Sequence, residues 1–383
     1  GEERSNPETA VAVFAPKLYE NITQSREAFT NANRFDKETV QSYYTFTANE
    51  LAQTPNIYII FIESYGSVLY KRDDFFARYL TITDQLEEQL TQHNWQVASN
   101  QSHAPIWGGG SWVAYTSAMS GLRLENHTEY QTFLNQYQGE PFPHLFNYLR
   151  DQGYRSYRLS GMAAEIDEWE WQRYKSFYGV DEWIRFKDVE YSGPLYGWGP
   201  SLPDQYAINY AHEVMTEDAT PHVFFYITQN SHYPWVPLPT VAPDWQLLND
   251  APPAVQPSTT SHEELRDNYM TSIEYELEML VDFIVSEGSD DDIFILIGDH
   301  QPARVARRAD GWDTPIHIIG RNPDFIQSFI NTGFVSGLDT NSSQTPMYHE
   351  GFYTLFIRSL QQAYGQDPDQ APLYLPRGVP LNN

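Results

Sequence analysis

One hexapeptide constrains the fold more than any other part of the chain. Ile57-Tyr58-Ile59-Ile60-Phe61-Ile62 is apolar at every position, then gives way abruptly to Glu63-Ser64-Tyr65-Gly66. A strand with one wet face alternates apolar and polar residues. A short unbroken apolar run instead reads as a strand covered on both faces, as in the centre of a parallel sheet. Val223–Ile227, Ile293–Ile297 and Ile316–Ile319 are similar runs, the last broken by His317. Between these runs lie helical patterns: Leu265, Tyr269, Ile273, Leu277, Leu280 and Ile284 share one helical face. Strands alternating with helices predict an α/β chain, a three-layer sandwich around a mostly parallel sheet, with a small C-terminal subregion. The expected organisation is an N-terminal helical arm over residues 1–50, one main domain over 51–364 and a Pro-rich tail over 365–383. Prolines crowd residues 237–260, which read as a long surface loop.

Composition removes several function classes. The 383 residues contain no Cys, which excludes disulfides, thiolate metal sites and cysteine nucleophiles. A formal net charge of −28 repels nucleic-acid phosphates, so no nucleic-acid partner is expected. The apolar runs fall far short of the ~20 residues a membrane helix needs. Gly1-Glu2-Glu3 reads as a cut or processed end, so any membrane attachment is expected through an anchor missing here.

The chemistry is expected where the buried strands stop. The first ends in Glu63, another in Gly298-Asp299-His300-Gln301, and a third in Thr228-Gln229-Asn230-Ser231-His232. In a parallel sheet all carboxyl ends share one edge, where ligands bind. Two carboxylates and an imidazole there form a hard-to-borderline metal site, suited to manganese, zinc or magnesium. A second feature is Trp107-Gly108-Gly109-Gly110-Ser111-Trp112. Glycines let backbone N–H groups approach an anion, and the unbroken stretch to Ser120 before Gly121 predicts a helix starting at Ser111. Ser111 there is either an ordinary helix cap or a nucleophile favoured by the helix dipole. The Gly-x-Ser-x-Gly elbow, the P-loop and the dinucleotide fingerprint are all absent.

Taken together, these motifs resemble those of the alkaline phosphatase/sulfatase superfamily, most closely its lipoteichoic acid synthase and phosphoglycerol transferase branch. Residues 55–66 look like that branch's first strand and metal-binding Glu. Gly110-Ser111 with Ser120-Gly121-Leu122 has the spacing of its nucleophile helix, and Gly298-Asp299-His300-Gln301 looks like its Asp-His metal pair. Asn230-Ser231-His232-Tyr233-Pro234 looks like a substrate-binding segment. Trp171-Gln172-Arg173 resembles a Trp-Asn-Arg element whose Arg holds phosphate. Trp183 and Gly197-Trp198-Gly199 with Asp204 also fit.

The resemblance implies an alkaline phosphatase-like fold and one divalent ion held by Glu63, Ser111, Asp299 and His300, manganese foremost, with zinc, magnesium or calcium as alternatives. It implies catalysis by Ser111, Arg173 and His232, and substrate binding by Trp171, Arg173, His232 and Trp198. A phosphoglycerol-type group would pass from a phospholipid-like or other phosphodiester donor, through Ser111, to a glycan or polymer hydroxyl. The implied place is a periplasm or cell surface, on a membrane-anchored protein. Two alternatives stay open: a phosphodiesterase or phosphonate/sulfate-ester hydrolase using water, and a non-catalytic module binding glycan or lipid headgroups.

The departures are specific. Ser111 stands where the branch has Thr, and Ser111-Trp112-Val113-Ala114-Tyr115 lacks the Pro/Ala and Arg that direct formylglycine formation, which disfavours a sulfate-ester hydrolase. Ala163, Ala164 and Ile166 stand where headgroup-contacting His and Asp are expected. Outside these motifs, His103 is a candidate substrate contact and His349 a candidate ligand to a second metal. Arg304, Arg307 and Arg308 form either a polyanion contact or a solvated loop.

Overall fold

A computed structural model describes residues 35, 37–44, 49–138, 141–217, 219–255, 261–342 and 345–381. Most of the expected N-terminal arm lies outside them; within it, Lys37–Gln41 is a short helix. Nine strands form one sheet: β1 (Ile57–Ile62), β2 (Gln96–His103), β3 (Arg155–Ser160), β4 (Glu182–Arg185), β5 (His222–Ile227), β6 (Ile293–Gly298), β7 (Asp313–Gly320), β8 (Val335–Ser336) and β9 (Met347–Tyr348). Their order is β4-β3-β5-β1-β6-β7-β2-β8, with β9 paired to β2. β4, β3, β5, β1 and β6 run parallel, whereas β7 is antiparallel to both β6 and β2.

β1 sits where the sequence reading places it, between β5 and β6, with all six residues buried. Its alternate side chains feed two cores. Ile57, Ile59 and Phe61 join one face, with residues of α2 (Ser111–Ser120), α3 (His127–Gln136), α4 (Leu145–Asp151), α8 (Pro323–Ile330) and α9 (His349–Tyr364). Tyr58, Ile60 and Ile62 join the other, with residues of α1 (Asp73–Gln92), α6 (Asp204–Met215) and α7 (His262–Glu287). This is the three-layer sandwich that two-sided burial demands. α5 (Glu168–Tyr178) lies between β3 and β4. α7 is capped by Ser261, whose hydroxyl accepts the Glu264 N–H while Glu264 accepts the Ser261 N–H. Within 237–255 the expected loop contains one short helical turn, Trp245–Asp250. The tail folds back onto α9 and the end of α2: the Leu375 N–H reaches Thr354 Oγ1 and the Val379 N–H reaches the Gly121 carbonyl.

β2 escaped the sequence reading because it is polar, Gln-Val-Ala-Ser-Asn-Gln-Ser-His, although most of it is buried. Its polar groups are satisfied in the interior: Ser99 Oγ meets His317 Nδ1 at 2.7 Å and Ser102 Oγ meets His349 Nδ1 at 2.8 Å.

These buried imidazoles carry a pH consequence. Burial pushes His317 down to about 3 and His144 down to about 4, from an ordinary 6.5. Both are therefore neutral in the folded chain, while the unfolded chain takes up a proton at each as pH falls through about 6.5. Stability should be full above that value and decline toward pH 4, by up to about 1.4 kcal/mol per pH unit for each histidine. Urea midpoints at pH 7 and pH 5 test this: His317→Gln should show a shallower decline than wild type, and equal slopes would contradict the assignment.

Candidate active site

The register of the sheet builds the site. Ile62 of β1 pairs with Gly298 of β6, so Glu63 and Asp299 emerge side by side at the carboxyl edge. On the other flank Phe61 pairs with Ile227, and Thr228 Oγ1 accepts the Glu63 N–H at 3.0 Å. Ser64 turns the chain away with φ 60°, a left-handed conformation costly for a non-glycine residue. Two bonds hold it there. Its N–H donates to Asp299 Oδ1 at 2.8 Å, and its carbonyl accepts from Tyr269 Oη at 2.9 Å.

Glu63, Asp299 and His300 form a buried cluster whose ligand atoms lie within 4.8 Å of one another. Asp299 Oδ1 is occupied by the N–H groups of Ser64 and His300. Asp299 Oδ2 is fully buried and, among the described residues, has no hydrogen-bond partner. It lies 3.3 Å from His300 Nε2. The His300 Nδ1–H donates to the Gln301 carbonyl at 3.0 Å, which leaves the Nε2 lone pair facing the cluster. The two carboxyls are pushed in opposite directions. Burial alone would raise Glu63, but His300, His232 and the bond from the Ser64 hydroxyl hold it below the usual carboxylate range. Burial and the Glu63 charge push Asp299 well above it. Two buried carboxylates, one with an oxygen that no donor meets among the described residues, beside an imidazole nitrogen form a donor set that fits a divalent ion.

The third element is α2. Gly109 and Gly110 have φ 72° and 76°, a conformation that favours glycine, and together they swing the chain into the helix. Gly110 is the N-cap, so Ser111 is not the cap; its hydroxyl is free to point elsewhere. It donates to Glu63 Oε2 at 3.0 Å and lies 3.4 Å from His300 Nε2. The Gly109 N–H reaches His300 Nε2 at 2.9 Å. Gly121 closes the helix, as its sequence position predicts.

His232 enters from the loop after β5. Its Nδ1 donates to the Tyr233 carbonyl at 2.6 Å, leaving Nε2 open, and its ring stacks on Trp198 at 5.0 Å. Trp198 is 55% exposed and covers this corner from the solvent side. The loop is anchored by a carboxyl pair behind it. Asp204 accepts Tyr226 Oη and the N–H groups of Gln229 and Asn230. Glu276 is completely buried, facing Asp204 and Ser231. Burial and then the Asp204 charge raise its carboxyl well above the ordinary range, so it faces Asp204 as a neutral acid.

The Trp171–Arg173 element stands apart. Trp171 is buried in α5 between Trp183 and the Arg185 guanidinium. Arg173 donates to Gln131 of α3, and its buried Nε has no partner. Among the described residues, no hydrogen bond or ion pair joins it to Glu63, Ser111, Asp299 or His300. A different arginine, Arg158 of β3, reaches α2. Its guanidinium lies 4.2 Å from the Trp183 ring and donates to Tyr115 Oη at 3.4 Å.

His349 is not a ligand of a second metal. Both its nitrogens are engaged beneath the site: Nε2 donates to the Gly298 carbonyl at 3.2 Å and Nδ1 accepts from Ser102. Burial pushes it down to about 3, so it stays neutral and braces the turn before Asp299. Gln301 binds the loops together, donating to Ser67 Oγ and the Asp313 carbonyl and accepting the Val68 N–H. Sequence reasoning gave no role to Ser64, Thr228 or Gln301, whose only signal was that they adjoin the Glu63, His232 and Asp299-His300 motifs, and it offered His349 as a metal ligand and not as a brace.

The tightest packing is at Gly298. A methyl there would lie 1.9 Å from the Tyr65 carbonyl oxygen and 2.9 Å from Thr314 Cβ. Gly298→Ala should cost about 3 kcal/mol by urea unfolding, the upper range for overpacking. A change within about 0.5 kcal/mol, ordinary for surface positions, would show that this close approach relaxes freely.

A serine at a helix N-terminus facing a Glu-Asp-His cluster on a mostly parallel sheet is the arrangement of an alkaline phosphatase-like fold. Solved structures share it: an alkaline phosphatase superfamily protein from Vibrio parahaemolyticus (15% identity, TM-score 0.55, 89% of this chain and 79% of that one), the phosphoglycerol transferase GacH of Streptococcus pyogenes in complex with sn-glycerol-1-phosphate (11%, 0.51, 90% and 84%), and the lipoteichoic acid synthase LtaP of Listeria monocytogenes (15%, 0.50, 74% and 71%). No curated protein matches the chain. The sulfatase family profile matches residues 55–318, and the chain belongs to that family.

Proposed function

We propose that the protein is an extracytoplasmic, metal-dependent phosphotransferase that moves a phosphoglycerol-type group from a phosphodiester donor to a glycan or polymer hydroxyl through Ser111. The observation that carries this reading is the contact of Ser111 Oγ with Glu63 Oε2 at 3.0 Å, which aims the hydroxyl into the cluster. Glu63, Asp299 and His300, with Ser111 Oγ, would hold the cation, manganese foremost. When bound, it would supply Lewis-acid activation of the serine oxygen and charge neutralisation for the phosphate.

The chain's own residues supply the rest. Ser111 Oγ attacks phosphorus in line while the bond to the leaving alcohol breaks, giving phospho-Ser111. His232 Nε2, carrying the proton that Ser111 gives up, would protonate the departing alkoxide and then take the proton of the acceptor hydroxyl, which attacks phosphorus and returns Ser111 to its hydroxyl form. Trp198 stacks on the His232 ring and would fix its orientation. Arg173, after leaving Gln131, would clamp the phosphate oxygens beside Trp171. The likeness to GacH, solved in complex with sn-glycerol-1-phosphate, and to LtaP supports the phosphoglycerol reading. Extracytoplasmic placement rests on the same likeness; among the described residues no helix is long and apolar enough to cross a membrane. The sulfatase name does not imply sulfate esters here, because the residues after Ser111 lack the formylglycine pattern.

The test is side-by-side turnover of a chromogenic phosphodiester and a chromogenic sulfate ester, before and after chelation. Phosphodiester turnover that chelation removes and manganese restores is expected. Sulfate-ester turnover alone would overturn the reading, and partition of product to water even with an added glucan would favour the hydrolase.

A further inference from the structure

The loop after Asp299 and His300 carries guanidinium groups that no carboxylate neutralises. Arg304, Arg308 and Arg377 form no ion pair among the described residues. By contrast, Arg72, Arg266 and Arg321 are matched with Asp310, Asp74 and Asp290. The chain carries a net charge of −28, so these cations stand against an acidic background.

Two of them belong to one continuous run. Arg308 lies between Trp107, 4.6 Å away, and Trp312, 5.1 Å away. Trp312 stacks near-parallel on His103 at 6.2 Å, and His103 meets Tyr348 at 5.1 Å. Arg377 covers Tyr348 at 4.2 Å. The run starts beside the nucleophile: Trp107 precedes the glycine turn into Ser111, and its carbonyl accepts the Gln301 N–H. Asp313 holds His103, and Glu350 and Glu125 are taken up by Arg123, so no acidic group is paired with Arg308 or Arg377. A guanidinium stacked on a ring is fixed in orientation and still presents its N–H edge, the geometry that binds oxyanions bidentately. The rings between the two arginines offer apolar surface for whatever links those oxyanions.

We propose that this run is a binding subsite for a soluble phosphate-bearing glycan chain, which lies along Arg308, Trp312, His103, Tyr348 and Arg377 and enters the site past Trp107. Its role as acceptor rests on the phosphotransfer reading; the binding does not. Unlike the cluster at Ser111, it recognises successive anionic groups of a polymer.

Equilibrium titration with a short linear polyphosphate tests it, beside a neutral glucan and vesicles containing an anionic phospholipid. Wild-type protein should bind polyphosphate saturably, with affinity falling as salt rises. The doubly substituted Arg308→Ala/Arg377→Ala protein should bind at least about tenfold more weakly, as expected for two lost charge-assisted contacts. Arg321→Ala, at the opposite end of β7, should bind like wild type, and so should Glu63→Gln, which disrupts the metal cluster. Both arginines are exposed, and an unchanged thermal midpoint would confirm the fold. The proposal is overturned if wild type does not bind, if the double substitution binds equally well, if the glucan binds as tightly, or if binding is lost in Glu63→Gln alone. Capture by anionic vesicles in preference to polyphosphate would assign the surface to a membrane and equally overturn it. Loss of turnover in Ser111→Ala bears only on the phosphotransfer reading, so the two can fail separately.

Discussion

Ser111→Ala should reduce phosphodiester turnover by on the order of 10³-fold or more, the scale of a lost nucleophile. The fold should barely notice. Ser111 is the first helical residue and Gly110 is the cap, so no capping bond is lost, and Ala is a good helix former. The Glu63–Asp299–His300 cluster keeps its three groups, so metal content after dialysis should fall much less than the rate. Steady-state kinetics with a chromogenic phosphodiester, paired with elemental analysis, separate the two effects. A rate equal to wild type would exclude the covalent pathway.

Asp299→Asn tests the other half of the centre. Asn keeps an oxygen for the Ser64 and His300 N–H groups, so the turn should survive. It places an NH₂ donor where Asp299 Oδ2 now stands without a partner. That exchanges a cation ligand for a group that repels cations. Metal affinity and turnover should each fall by at least about 100-fold, the upper end of what even outer partners of ligands cost. Unfolding of the metal-free protein should be unchanged or require more urea, because a buried carboxyl crowded by Glu63 is removed. Retained metal stoichiometry and rate would show that Asp299 is structural.

The legible parts of this molecule were those where a single physical demand dominates. A strand buried on both faces cannot hide in a sequence, and β1 and β6 gave away both themselves and the residues at their ends. Glu63 and Asp299 were legible for that reason, and Gly109, Gly110 and Gly121 because left-handed backbone at a helix's ends favours glycine. β2 was not legible, because its buried Ser99 and Ser102 are satisfied by histidines from β7 and α9, more than 200 positions away. The run Ile316–Ile319 revealed β7 but not its direction, since apolarity reports burial and not polarity of the chain. Arg173 shows a further limit. A short motif gives a residue's neighbours in sequence, but its guanidinium takes the partner that α3 offers, Gln131. His349 reads as a ligand by residue type and is a brace by position, which only the contact with the Gly298 carbonyl reveals.

The pairing of Ile62 with Gly298 reaches beyond catalysis. The centre draws on positions 63, 111, 232 and 299–300, so it exists only once strands from opposite ends of the chain have met. Such a topology has a high contact order, and loop-closure entropy must be met before those contacts return anything. During synthesis the growing chain therefore carries Glu63 and Ser111 exposed to solvent, with no competent cluster, until β6 has emerged and docked. A cation that binds only the completed centre acts as a late clamp, drawing the folding equilibrium toward the finished sheet without speeding the search for it.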